Sequence, residues 1–227
     1  MWLNDIYMTD SALDNYRQSL LNACPNHIVI DGLFDHAKLE EVINVLQQPQ
    51  NWHPQKHTYS ALYVDSAEWQ NTSQCQRFVQ RDVWQSAVSS PNPAQEFLSF
   101  LRGDEFLSVL SRIFDVKLTD MNVAKPEINT NYFRLGTTDF VEQHADDSPG
   151  REVCMLLYLN KDWSDKAGGE LGFRGAADSQ VVKIPPLYNR CVLFNPASAG
   201  SEHWVEKLYA TDTDQYRYNV TSWYWQE

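Results

Sequence analysis

Residues 131–147, NYFRLGTTDFVEQHADD, end an apolar run on His144-Ala145-Asp146. In an extended strand, side chains two residues apart point to the same side, so one imidazole and one carboxylate would face a common point. The runs around this stretch share one character. From about Thr119 onward, MNVAKPEINTNYFRL, DFVEQHAD, EVCMLLYLN, GGELGFRG, QVVKIP, RCVLFNP, HWVEKLYA and RYNVTSWYW are short, strand-like and separated by turn residues. Several short strands at such spacing predict a sandwich or barrel.

The N-terminal half reads differently. DSALDNYRQSLLNA (10–23) has a helical pattern, with Asp10 or Ser11 as its cap. His27–Phe34 reads as a strand ending in a turn. A helix follows from about Ala37, with Leu39, Val42, Ile43 and Leu46 on one face, and Pro49 closes it. Residues 57–69, HTYSALYVDSAEW, have the β-branched and aromatic content of a strand. PAQEFLSFL and DEFLSVLSRIF are two further helical patterns, the second with Asp104 as N-cap. The polar 65–93 stretch, with Trp69 and Trp84, reads as a long loop able to form a substrate lid. No repeat or linker divides the chain. The expectation is one α+β, mainly β, domain over 1–227: helical support and N-terminal strands over 1–118, and a jelly-roll core over 119–227.

Composition narrows the function. Apolar residues make up 43% and aromatics 13% of 227 residues, enough for a sizeable core. The net charge of −12 and the lack of a basic cluster argue against nucleic acid as a partner. Cys24, Cys75, Cys154 and Cys191 show no metal-finger spacing. The N-terminus lacks the order of a signal peptide, and no window approaches a membrane span. A cytoplasmic protein without membrane partner is expected.

Within the later strands, His203 is the candidate third partner of His144 and Asp146. Two imidazoles and one carboxylate on one face of a metal leave the other face open, the arrangement suited to non-haem Fe(II). Taken alone, His-x-Asp arises often by chance, and a lone His203 would more often sit on a loop. His57 is the one further histidine that could face a substrate groove. In RYNVTSWYW, Arg217, Asn219, Thr221 and Trp223 should share one face. A guanidinium turned into an apolar barrel needs an anion. That anion is either an internal carboxylate or the carboxylate of a ligand held by the arginine fork.

Taken together, YFRLGTTDFVEQHAD, REVCMLLYLNKDW…GGELGF and RCVLFNP…HWV…RYNVTSWYW resemble the Fe(II)- and 2-oxoglutarate-dependent dioxygenases, and within them the prolyl 4-hydroxylase and prolyl-hydroxylase-domain group. The resemblance covers roughly residues 119–226. It implies a double-stranded β-helix with Fe(II) on His144, Asp146 and His203. It further implies 2-oxoglutarate with its far carboxylate on Arg217 and Tyr158 and Thr221 nearby, O2 as co-reactant, and ascorbate as an accessory. Arg151, Tyr132 and Trp223 would line the substrate side. Arg217 follows His203 at a wider spacing than is usual in the family, which implies a longer loop before Tyr216. Related halogenases carry a small residue where Asp146 stands, so Asp146 points to hydroxylation. The reaction implied is hydroxylation of a prolyl residue in a protein or peptide, giving succinate and CO2. Hydroxylation of a free amino acid or other small molecule, or a catalytically silent jelly-roll binding module, are the alternatives.

Overall fold

The computed structural model describes residues 1–86, 91–120, 126–175, 181–209 and 216–227. The first helix, α1 (Asp10–Asn22), is capped by Thr9, one residue before Asp10 and two before Ser11, the expected caps. Thr9 Oγ1 accepts from Ala12 N at 3.2 Å, which leaves Asp10 inside the first turn. Strand β1 (His27–Asp31) and helix α2 (His36–Leu46) follow. Leu39, Val42, Ile43 and Leu46 are all buried, and α2 ends before Pro49 is reached.

The region 52–84 departs from the sequence reading. Strand β2 is Trp52–Thr58, so only His57 and Thr58 of the expected 57–69 strand belong to it. Pro54, which argues against a strand, is tolerated because β2 is the edge of its sheet. Helix α3 (Ser66–Asn71) is capped by Asp65, whose side chain accepts from Glu68 N at 2.9 Å. Residues 77–84 then form strand β3 (Arg77–Trp84) inside the sheet rather than a long lid. Helix α4 (Pro93–Leu101) opens with a capping box between Asn92 and Gln95. Helix α5 (Asp104–Phe114) takes Gly103 as its N-cap, so Asp104 sits in the first turn and complements the helix dipole instead.

The remaining strands are β4 (Leu118–Thr119), β5 (Thr130–Leu135), β6 (Phe140–Val141), β7 (Arg151–Tyr158), β8 (Leu171–Phe173), β9 (Val182–Ile184), β10 (Arg190–Phe194), β11 (His203–Val205) and β12 (Arg217–Gln226). Seven run in the order β1-β10-β7-β12-β5-β3-β2, with β4 on β12 and β6 on β3. A smaller sheet has the order β11-β8-β9. Every strand pairing is antiparallel. The N-terminal strands β1 to β3 are thus full members of the large sheet. The jelly-roll core is the pair of sheets, with the helices against one face of the larger.

Alternation along the central strands makes that two-sided packing visible. On β7, Val153, Met155 and Leu157 enter the helix-backed core, while Cys154, Leu156 and Tyr158 face the smaller sheet. On β10, Cys191 and Leu193 take the first side, Val192 and Phe194 the second. Strands covered on both faces read as continuous apolar runs, which is why EVCMLLYLN and RCVLFNP lack a polar alternation. Strand β12 places Val220 and Tyr224 on the helix side. Its other face, carrying Arg217, Asn219, Thr221 and Trp223, lines a cavity of about 750 Å³ between the sheets.

Tyr132 lies on the wrong side for a substrate residue. It pairs with Val220 across β5 and β12, so it shares the helix-backed face. Its Oη donates to Ala94 O at 2.9 Å, and its ring meets Trp84 edge-on. On the other face of that strand lie Phe133, opposite Asn219, and Leu135, opposite Arg217, of which Leu135 lines the cavity. Tyr132→Phe is therefore expected to cost about 1 kcal/mol of stability through the lost hydrogen bond. Metal and cosubstrate affinity should be unchanged, as denaturant unfolding and ligand titration on the same sample will check.

Candidate metal centre and anion pocket

His144 and His203 are brought together by the backbone. They form an isolated antiparallel bridge, with His144 N donating to His203 O at 3.0 Å and His203 N donating to His144 O at 2.9 Å. Regular strand β6 ends at Val141, so His144 and Asp146 are not alternate residues of one strand as the sequence suggested. The bridge does the positioning instead, and the two ring centroids lie 4.3 Å apart.

Each ring is also oriented. His144 Nδ1 is 2.9 Å from Glu142 O, and His203 Nδ1 is 3.0 Å from Ser201 O. A carbonyl only accepts, so Nδ1 carries the proton in both rings and each Nε2 keeps its lone pair. Those Nε2 atoms lie 3.9 Å and 3.7 Å from Asp146 Oδ1 and Oδ2. One donor atom from each of the three residues falls within 4.8 Å of the others.

Asp146 is itself held. Trp223 Nε1 donates to Oδ2 at 2.8 Å, Arg151 donates to the Asp146 carbonyl at 2.8 Å, and Arg151 Nη1 lies 3.5 Å from Oδ1. Burial alone would raise the carboxyl, but the two imidazoles, Arg151 and the Trp223 bond outweigh it and hold Asp146 at about 2. His203 is pushed down to about 4, first by burial and then by His144. His57 is also pushed to about 4, by burial, Arg81 and His144.

These buried imidazoles set an acid sensitivity. A histidine held neutral at about 4 in the fold, against 6.5 when unfolded, favours the unfolded state as pH falls between those values. For His203 the loss is on the order of 3 kcal/mol by pH 4. The melting temperature of the metal-free protein is expected to drop steeply from pH 6.5 to 4.5. A flat profile there would show that neither ring is shielded.

Deeper in the cavity, Arg217 is buried and has no salt bridge among the described residues. Its Nε donates to Gly169 O at 2.7 Å and its Nη1 to Asn219 Oδ1 at 2.8 Å, and Asn219 in turn donates to Thr221 Oγ1 at 2.9 Å. Arg217 Nη2 has no acceptor, and the Tyr158 hydroxyl is likewise buried without a partner. The guanidinium sits 4.8 Å from the Tyr158 ring centre. Burial lowers the Arg217 pKa and raises that of Tyr158, each opposed by the other's charge. Arg217 Nη2 and the Tyr158 hydroxyl thus face one another without a carboxylate, and among the described residues no internal ion pair takes the guanidinium. Gly168 and Gly169 make room for this pocket at positive φ. A Cβ on Gly168 would meet Lys207 O at 2.0 Å, and one on Gly169 would press on Arg217 Cδ at 3.1 Å.

Most site residues expected from the sequence gather here. His144, Asp146, His203, Arg217, Thr221, Arg151 and Trp223 line the one cavity, with Tyr158 beneath Arg217. Tyr132 does not. Asn219, the link from Arg217 to Thr221, went unassigned although its alternation with both was in plain view. The loop expected before Tyr216 lies in 210–215, outside the described residues.

Comparisons with known proteins converge on this geometry. A family model described as the 2OG-Fe(II) oxygenase superfamily matches residues 130–225. Mouse prolyl 3-hydroxylase OGFOD1 is 25% identical over 150 residues, 63% of this chain and 26% of that protein. Human Egl nine homolog 1 is 36% identical over 85 residues, 36% of this chain and 18% of that protein. The chain thus spans about a quarter or less of the length of these relatives. Among solved structures, a Pseudomonas putida prolyl-4-hydroxylase superposes with a TM-score of 0.63 at 14% identity, covering 95% of this chain and 99% of that one. A Trichoplax adhaerens prolyl hydroxylase, crystallised with a hypoxia inducible factor peptide fragment, gives 0.63 at 20% identity, covering 98% and 96%. At these identities the structures speak for the fold, while the family match spans β5 to β12 and all three converging donors. Two imidazoles and a carboxylate fit Fe(II), the unused Arg217 Nη2 and Tyr158 hydroxyl fit a carboxylate such as the far one of 2-oxoglutarate, and residues 130–225 of this chain are similar to the 2OG-Fe(II) oxygenase superfamily, with prolyl hydroxylases among the relatives matched.

Proposed function

We propose that this protein is an Fe(II)- and 2-oxoglutarate-dependent dioxygenase that hydroxylates a prolyl residue in a protein or peptide. One observation carries the reading: a His144, Asp146, His203 donor set shares a cavity with buried Arg217, whose Nη2 is unused and which lies over Tyr158, itself without a hydroxyl partner. When bound there, iron with 2-oxoglutarate and O2 supplies the oxidation of the C–H bond, with succinate and CO2 as co-products, and ascorbate maintains the reduced metal.

The chain's own residues do the rest. His144, Asp146 and His203 would hold the metal, and the Nδ1–H groups of the two histidines donate to backbone carbonyls, away from it. Arg217 grips the cosubstrate's far carboxylate as a fork, Tyr158 donates to the same group, and Thr221 lies beside them. Leu135, Val141, Leu156, Leu171 and Val205 make the wall apolar and keep water from the reacting carbon. Arg151 and Trp223 position the Asp146 carboxylate and reach the substrate side. At the rim, Tyr59, Leu62 and Tyr63 are exposed, an apolar lip suited to a peptide.

A cytoplasmic setting agrees with four unpaired cysteines, and no described helix is long and apolar enough to cross a membrane. The test is anaerobic titration of Fe(II) and then 2-oxoglutarate into the metal-free protein, watching for the visible charge-transfer band of the chelate. The band should appear, and prolyl peptides should then drive succinate formation. Iron binding without the band would replace this reading with a binding module.

A further inference from the structure

The cavity is positively charged in a protein whose overall charge is −12. Among its described lining residues, Asp146 is the one carboxylate, against the guanidiniums of Arg81, Arg151 and Arg217. A divalent metal and a doubly charged cosubstrate cancel one another, so the excess cation persists when both are bound. Arg217 faces the cosubstrate and Arg151 leans on Asp146. Arg81 is left over.

Arg81 is built into its place. It lies on β3 opposite Gln55 of β2, and its Nε donates to Gln55 Oε1 at 2.8 Å. Its guanidinium lies 3.4 Å from the centre of the Phe133 ring, close packing that fixes its plane. No acceptor occupies its Nη groups among the described residues. The neighbouring carboxylate, Asp82, points to the opposite face and accepts from Arg134 at 2.9 Å. His57 shares the cavity-facing side of β2 with Gln55. Its Nδ1 accepts from Tyr63 N at 2.8 Å, so the proton is on Nε2 and that atom is a donor. Desolvation presses the Arg81 pKa down to about 9 against the pull of the Asp146 charge, leaving it cationic at neutral pH and without an ion pair among the described residues.

We propose that Arg81, with the His57 Nε2–H on the same wall, is a second anion site that selects substrates carrying a carboxylate near the carbon to be hydroxylated. The inference rests on the hydroxylase reading above and adds a substrate class to it. A carboxylate approaching along the β2–β3 wall would meet the Arg81 fork and the His57 donor together, which a neutral amide would match far less well. The group has two sources, an acidic side chain beside the proline of a peptide or the α-carboxylate of a free amino acid.

The experiment uses protein loaded with redox-inert Mn(II) and saturating 2-oxoglutarate, so that the first anion pocket is filled. Calorimetric affinities are compared for acetyl-Asp-Pro amide against acetyl-Asn-Pro amide, and for L-proline against L-prolinamide. At least one acid should bind tenfold or more tightly than its neutral partner. Preference in the first pair assigns the side-chain source, and in the second the free acid. Arg81→Gln should erase the preference, Arg81→Lys should keep most of it, and both should bind 2-oxoglutarate as wild type does. Equal affinity within both pairs, no binding by either acid, or a preference that survives Arg81→Gln overturns the proposal. Weakened 2-oxoglutarate binding in Arg81→Gln also overturns it, by giving Arg81 to the cosubstrate. The hydroxylase reading fails separately, if wild-type protein binds no 2-oxoglutarate.

Discussion

Arg217→Ala is expected to weaken 2-oxoglutarate binding at least 100-fold, about 3 kcal/mol, while leaving Mn(II) or Fe(II) affinity within a factor of two. The asymmetry follows from placement. Arg217 contacts Gly169 O and Asn219 but none of the three metal-side donors, so its removal does not alter the His144–His203 bridge. On the proposed function, it removes the charge that would offset the cosubstrate's buried far carboxylate, and leaves Tyr158 to donate there. Arg217→Lys should fall between, since an ammonium keeps the charge but lacks the fork that reaches Asn219 and a carboxylate at once. Separate calorimetric titrations of metal and cosubstrate read the two effects. Equal loss of both would mean that Arg217 organises the fold around the site.

Strand β12 was legible before any coordinates because its face-to-face alternation survives in the sequence: Arg217, Asn219, Thr221 and Trp223 one way, Val220 and Tyr224 the other. The amphipathic helices were legible for the same reason, in the 3.6-residue period of Leu39, Val42, Ile43 and Leu46. What periodicity cannot convey is pairing between distant segments. The resemblance implies Tyr132 on the substrate side, yet register with Val220 turns it toward the helices, one residue out of phase with Phe133. Strand β3 was hidden for a different reason. RFVQRDVW carries three charged residues, because Asp82 pairs with Arg134 on one face and Arg81 faces the binding cavity on the other. A strand that lines a binding cavity does not show the apolar alternation of one that faces a core. The convergence of His144 with His203 came through the family resemblance, since it depends on two backbone hydrogen bonds that no local pattern encodes.

Asp146→Ala should lower metal affinity at least 100-fold, about 3 kcal/mol, because two neutral imidazoles then face a dication without the one carboxylate of the site. It should also destabilise the metal-free fold. A carboxyl held at about 2, against about 3.8 when free, adds on the order of 2 kcal/mol of stability that is present above pH 3.8 and lost as pH falls through 2. Removing the side chain forfeits that contribution at neutral pH and strands Trp223 Nε1, whose partner it is. Asp146→Asn separates the two effects. An amide oxygen can still accept from Trp223, so the unfolding free energy should recover most of its loss, while the metal still meets no negative charge. Denaturant unfolding and anaerobic metal titration on the pair decide the matter. If Asp146→Asn regains stability and stays metal-poor, the carboxylate serves the metal directly. If it regains both, the Trp223 contact and the shape of the loop, rather than the ligand charge, hold the site together.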